Sequence, residues 1–197
     1  MEKLSYNHID RIVEMLNNGK IIALPTDTIY GLACIFDNIE SINNIYSIKG
    51  RDYSKPLIMM VSDIEMLDRY CVIDQLSLKL INKFMPGPLT VILNKKDIKH
   101  QYYNRYDTIG IRIPNNRYIL DIIRVLDKPI LVTSANKSNS INNIRDIDVI
   151  DDIGIYIDGI VLGSCSNNIG STIVDVNDDK LILREGIIKE IDIRGVL

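Results

Sequence analysis

Lys49, Arg51 and Lys55 crowd into the turn KGRDYSKP, Lys49 to Pro56. An ammonium is a point charge and a guanidinium a planar fork, and together they suit a polyphosphate. The same spacing describes a solvated basic loop after a helix. The stretch LVTSANKSN offers Ser134 and Asn136. Their hydroxyl and amide can meet phosphate oxygens beside backbone N–H groups. An Asx or ST turn satisfied by its own backbone uses the same residues. In TIGIRIP, alternation sets Ile109, Ile111 and Ile113 on one face and Gly110 and Arg112 on the other. Arg112 then faces either solvent or an anion. The turn PTDT, Pro25 to Thr28, stops the apolar run Ile21–Leu24 with hydroxyls and one carboxylate, a pattern that also caps a turn. Gly170–Thr172 (GST) and Arg184 in LREG are weaker members, and Arg184 suits a surface ion pair equally well.

Other chemistries find less support. The two histidines are His8, on the flank of a first helix, and His100, in the charged loop KKDIKHQ. Neither lies near a candidate nucleophile, so Ser-His or Cys-His catalysis is not expected. Cys34, Cys71 and Cys165 form no CxxC and no even framework, so neither a zinc site nor a disulfide scaffold is expected, and a reducing, cytoplasmic setting fits. No P-loop or dinucleotide fingerprint occurs.

These clusters need elements to hold them. Ile9, Ile12, Val13 and Leu16 recur at helical spacing before Gly19, and a strand is expected over Lys20–Leu24. Ile39, Ile42, Ile45 and Ile48 predict a helix ending near Lys49-Gly50. PLIMMVS reads as a buried strand. Leu76, Leu80, Ile81 and Phe84 are expected to share a helix face before PGP breaks it. LTVIL and TIGIRIP read as strands, NRYILDIIRVL as an amphipathic helix, and PILVTSAN as a strand entering a polar loop. Beyond Ser140 the pattern is less regular until STIVDV and KLILREG, a closing pair of strands. The polar run Asn136–Asn143 is expected to lie over one edge of the sheet. PTDT, TSAN and REG each follow a strand, so a shared site beyond the carboxyl ends of the strands is expected. The fold class is α/β, with a mixed sheet covered by helices in a single domain over residues 1–197.

The composition, 46% hydrophobic and 25% charged with a net charge of −3, suits a folded domain. It argues against a nucleic-acid-binding tail or a membrane-surface domain. The N-terminus lacks the apolar run of a signal peptide, and no apolar stretch is long enough to span a bilayer.

Taken together, ALPTDTIYGLAC, IKGRDYSKPL, MPGPLTVIL, GIRIP, TSANKS, GSTIVDV and LREG resemble the YrdC/TsaC family of threonylcarbamoyl-AMP synthases. They occur in the family's order from about residue 8 to about residue 190. The resemblance implies a YrdC-like twisted open mixed sheet with flanking helices and a concave basic cleft. It implies an enzyme, a nucleotidyltransferase joining L-threonine, bicarbonate or CO2, and ATP into threonylcarbamoyl-AMP and pyrophosphate. Mg²⁺ would arrive on the ATP phosphates rather than in a carboxylate cage. Downstream proteins would pass the threonylcarbamoyl group to tRNA, which itself would bind weakly if at all. By the resemblance, Lys49 and Arg51 would be catalytic and grip ATP with Ser134, Asn136 and Arg184. Tyr53, Thr108 and Asn142 fall near nucleotide-contacting positions. Thr26, Arg112 and Thr172 would surround threonine.

The chain departs from the family pattern in places. Asn139 stands where relatives often have Gly, INNIRD replaces a Pro- and Thr-containing loop, and Asp52 replaces a usual Pro. The length resembles the single-domain type, so something other than a linker must shield the site. Two rivals remain at this stage: a non-catalytic RNA-binding module, and a paralogue with another nucleotide-dependent carbamoyl transfer.

Overall fold

Capping residues written into the sequence set the helix ends in the computed structural model, which describes residues 1–138, 140–178 and 180–197. Asn139 lies outside the described residues. Asn38, Asp63, Asp74 and Asn116 each accept a hydrogen bond from the backbone N–H three residues on. They begin α2 (Ile39–Lys49), α3 (Ile64–Tyr70), α4 (Gln75–Phe84) and α5 (Arg117–Leu126). The remaining helices are α1 (Ile9–Asn17), α6 (Asp146–Ile153) and α7 (Glu190–Arg194). Gly50, at φ 58°, takes the left-handed conformation that stops α2. That stop sends Lys49 inward and carries Arg51 into the following loop.

Ten strands among the described residues form one sheet. They are β1 (Glu2–Leu4), β2 (Ile22–Leu24), β3 (Gly31–Ile35), β4 (Ile58–Met60), β5 (Leu89–Asn94), β6 (Thr108–Arg112), β7 (Ile130–Ser134), β8 (Gly159–Val161), β9 (Thr172–Val174) and β10 (Ile182–Arg184). Their order is β1-β8-β2-β3-β7-β4-β6-β5-β9-β10. Five pairings are antiparallel and four parallel, so the sheet is mixed.

The register separates two faces. Leu32, Cys34, Leu131, Met59, Ile111, Val91 and Val174 share one, and all are buried. The core lies there, beneath helices whose buried residues include Ile42, Ile45, Leu80, Ile81 and Ile122. Gly31, Ser134, Val132, Ile58, Met60, Arg112, Thr90 and Ile173 share the other. This second face carries the cleft.

Several expectations change. Leu76 is exposed on α4, and Ser77 is buried instead, held by the Asp74 cap. The described part of the stretch expected over an edge follows β7, an interior strand of the sheet. The site expected at the carboxyl ends of the strands is present in part: β2 and β7 both run antiparallel to β3, with Leu24 paired to Gly31 and Gly31 to Ser134, so PTDT and TSAN leave the same end of the sheet, whereas β10 ends at the opposite one. β4 lies between β7 and β6, antiparallel to the first and parallel to the second, so Ser134 and Arg112 close opposite ends of strands two places apart. The cleft extends from that shared end across the face that carries Arg112 and Arg184.

Candidate active site

The cleft encloses about 450 Å³ and is lined by residues from seven segments, among them Thr26, Arg51, Arg112, Ser134, Asn142, Ser171 and Arg184. An adjoining hollow of about 220 Å³ is lined by Lys49, Arg51, Ser134 and Asn136. Arg51 and Ser134 belong to both, so the two spaces share a wall. Ile58, Met60, Val132 and Ile173 supply an apolar floor.

Lys49 is 3% exposed at the end of α2. Its Nζ donates to the carbonyls of Ser134 and Asn136 and lies 3.3 Å from Ser134 Oγ and 3.4 Å from Asn136 Oδ1. Burial, then the neighbouring Arg51 charge, push the ammonium pKa down to about 8, opposed by Asp152. Asn136 in turn donates to the carbonyl and hydroxyl of Ser140. The ammonium therefore orders the Ser-x-Asn loop.

Arg51 Nε donates to the Lys55 carbonyl at 2.8 Å, and Nη2 to the Pro56 carbonyl at 3.1 Å. Arg184 Nε and Nη2 both donate to the Ser171 carbonyl, and Nη2 also reaches Ser171 Oγ. Burial, then Arg112 and Arg51, lower the Arg184 pKa, so the guanidiniums sense one another across the cleft. These three cations are held by carbonyl oxygens, which orient them without neutralising them.

Arg112 is anchored differently. It is 2% exposed, and Nη2 pairs with Asp27 at 2.6 Å, while Nε donates to the Gly87 carbonyl and Nη1 to Thr28 Oγ1. A guanidinium has five N–H groups, and these contacts occupy three. Burial lowers its pKa and Asp27 opposes that. The PTDT turn has a fixed proton order. Thr26 Oγ1 donates to the Ile29 carbonyl, so Thr28 must donate to Thr26 and accept from Arg112. The turn is thus both internally satisfied and tied to β6.

Arg184 owes its position to a bulge. Ile182 pairs with Val174, yet Arg184 pairs with Ile173. The extra residue turns Arg184 to the cleft face, where plain alternation would leave it beside Ile182 on the core face. Gly186 makes this possible, because a Cβ there would sit 2.3 Å from the Gly170 carbonyl oxygen.

Three anticipated residues stand outside the cleft. Thr172 is fully buried on the core face; its Oγ1 accepts from the Gly186 and Ile188 N–H groups and donates to the Ile188 carbonyl. Its neighbour Ser171 lines the cleft instead. Tyr53 stacks on Tyr46 at 4.2 Å, carries Arg105 over its ring and donates to Asn43 Oδ1. Thr108 opens β6, four residues or about 13 Å along the strand from Arg112. Asn142 lines the cleft and donates to the Asn168 carbonyl across its mouth. Asp27 is the residue that spacing did not single out. The signal was present, since a charge inside an apolar strand requires a counter-ion. Among the described residues no group of three or more His, Cys, Asp or Glu is placed to hold a metal, and no helix is long and apolar enough to cross a membrane.

Comparison with known proteins agrees with the geometry. The family model named Sua5/YciO/YrdC, described as telomere recombination, matches residues 14–186. A Methanocaldococcus jannaschii protein provisionally named threonylcarbamoyl-AMP synthase is 39% identical over 180 residues, covering 87% of this chain and 82% of that protein. The Homo sapiens threonylcarbamoyl-AMP synthase is 30% identical, over 84% of this chain and 61% of its own length. The structure of P. abyssi Sua5 complexed with L-threonine superimposes with a TM-score of 0.92 at 26% identity, covering all of this chain and 60% of that one. E. coli YciO shares the fold, with a TM-score of 0.87 at 24% identity over 100% of this chain and 97% of its own. The chain spans about three fifths of the human and P. abyssi proteins. With 173 contiguous positions of its sequence matched and its whole fold superimposable, the chain belongs to the Sua5/YciO/YrdC family.

Proposed function

We propose that the protein is a threonylcarbamoyl-AMP synthase acting on L-threonine, bicarbonate or CO2, and MgATP. The observation that carries this reading is the set of cations anchored by carbonyls around the cleft and the hollow that adjoins it. Lys49, Arg51 and Arg184 keep their charge available to a polyanion, beside an apolar floor fit for a nucleoside. The names of the archaeal and mammalian relatives and the threonine-bound P. abyssi structure support the same substrates.

In this reading Arg51, Lys49 and Ser134 hold the phosphates, and Arg184 approaches from the facing wall. The two N–H groups of Arg112 left by its protein contacts receive the amino-acid carboxylate beside the Thr26 turn. The free amine of threonine bonds to the carbon of CO2, supplied directly or by bicarbonate that takes up a proton and loses water, and one amine proton is released to solvent as the carbamate forms. A carbamate oxygen then bonds to the α-phosphorus, the α–β P–O bond breaks, and pyrophosphate leaves. No protein nucleophile is required. Holding the three reactants in line contributes up to about 7–11 kcal/mol. The product is a reactive mixed anhydride, so proteins that transfer its threonylcarbamoyl group to tRNA are the expected consumers.

The test is one incubation of the purified chain with MgATP, bicarbonate and labelled threonine, resolved by chromatography. Threonylcarbamoyl-AMP with an equimolar yield of pyrophosphate is the expected result. Pyrophosphate released at the same rate without threonine would replace this reading with another nucleotide-dependent reaction.

A further inference from the structure

We infer that Tyr46 and Tyr102 are positioning residues for Arg51, through a directed chain of hydroxyls that fixes the carbonyl on which its guanidinium rests. This rests on the reading of Arg51 as a phosphate-gripping group. Tyr46 lies on α2 and Tyr102 beyond β5, and both side chains are almost fully buried. Tyr46 Oη lies 3.2 Å from the Lys55 carbonyl and 3.0 Å from Tyr102 Oη, and the Leu57 N–H donates to Tyr102 Oη at 2.9 Å.

The protons have one arrangement that serves every partner. A carbonyl only accepts, so Tyr46 gives its proton to Lys55. Tyr102 then gives its proton to Tyr46 and accepts from Leu57. The chain runs from Leu57 N–H through Tyr102 and Tyr46 to the Lys55 carbonyl, which also accepts from Arg51 Nε. Both ends lie in the loop that bears Arg51, so the relay clamps that loop from beneath.

The rings extend the clamp. Tyr53 stacks on Tyr46, and Arg105 must occupy its opposite face because Tyr46 fills the first. Tyr106 donates its hydroxyl to the Tyr53 carbonyl. The loop after α2 is therefore gripped at residues 53 and 57 by side chains of residues 102–106, distant in sequence, and at residue 55 by Tyr46 of the preceding helix. Its exposed face is left to Arg51, whose remaining three N–H groups have no carbonyl partner among the described residues.

The test pairs Tyr46→Phe, which keeps the stacked ring and removes the relay proton, with Tyr102→Phe and Arg51→Ala. Three quantities are read: ATP affinity by titration calorimetry, synthase turnover, and thermal unfolding. Each phenylalanine variant should weaken ATP binding about 3–10-fold and lower turnover. In an Arg51→Ala background the same substitutions should change ATP binding less than about 2-fold. Equal losses with and without Arg51, or undiminished binding in both phenylalanine variants, would overturn the proposal. So would failure of the unsubstituted chain to bind ATP. Should Tyr46→Phe not fold, Tyr102→Phe carries the same cycle. An unsubstituted chain that binds ATP but makes no threonylcarbamoyl-AMP refutes the functional reading while the binding cycle still decides this one.

Discussion

At the scale of single residues, the site separates two ways of anchoring a cation. Arg112 has an acidic partner at 2.6 Å, whereas Lys49, Arg51 and Arg184 rest on carbonyls. Removing one member of a buried ion pair leaves the other uncompensated. Arg112→Met should therefore lower the unfolding free energy by about 3–5 kcal/mol, measured by urea denaturation. Lys49 predicts a pH effect of definite sign. Its folded pKa is depressed to about 8, so the ammonium is present below that pH and lost above it. ATP affinity should hold steady below pH 8 and then decline, by at most tenfold per unit for one required proton. Titration calorimetry across this range should give that profile for the natural protein and a flat one for Lys49→Met. For stability the sign reverses: the unfolded chain binds the proton more tightly between about pH 8 and the ordinary lysine range, so this residue favours folding as pH rises there.

At the scale of elements, the long periodic segments were legible and the short buried ones were not. The isoleucine spacing gave α2, and the capping Gly50 gave its end. The alternation in TIGIRIP assigned Arg112 to the face opposite Ile111, as the pairing register confirms. β8 went unread because Gly159–Val161 is three residues long and wholly buried, leaving no polar alternation to detect. α6 was hidden by its acid-rich sequence and an Arg at its cap. The bulge in β10 had no sequence signal, and a reading by alternation would have turned Arg184 to the wrong face. Most members of the candidate cleft were visible as residue types, but their grouping came from the family resemblance. The Asp27 carboxylate was visible in the PTDT turn but not as the partner of Arg112, and Ser171 became visible only through its contacts with Thr90 and Arg184. The close packing at Gly186 makes a prediction of its own. Gly186→Ala should destabilise by about 1–3 kcal/mol or more, because the added methyl meets backbone that cannot rotate away. It should also weaken ATP binding by displacing Arg184, and thermal unfolding with and without ATP would read both.

At the scale of the whole molecule, a net charge of −3 coexists with a cleft lined by three arginines and one glutamate. The acidic residues pair with surface lysines and arginines, as in the Arg11–Glu2, Lys96–Asp68 and Arg145–Asp148 bridges. Binding of a polyanion should thus depend on the site and not on the mean charge. ATP affinity should fall as salt is raised, while tRNA binding should remain weak even at low salt. Filter binding alongside calorimetry would distinguish these, and tight tRNA capture without adenylate synthesis would favour an RNA-binding module.

The turn that carries Asp27 leaves the end of β2 and meets Arg112 on β6, four places away in the sheet. It also takes the Asn115 N–H and an amide proton from Asn167. One short loop thereby ropes together two wings of a twisted surface that could otherwise splay. The width of the mouth is decided when the polypeptide folds, so an incoming reactant meets a gap already cut to size instead of one it must draw shut.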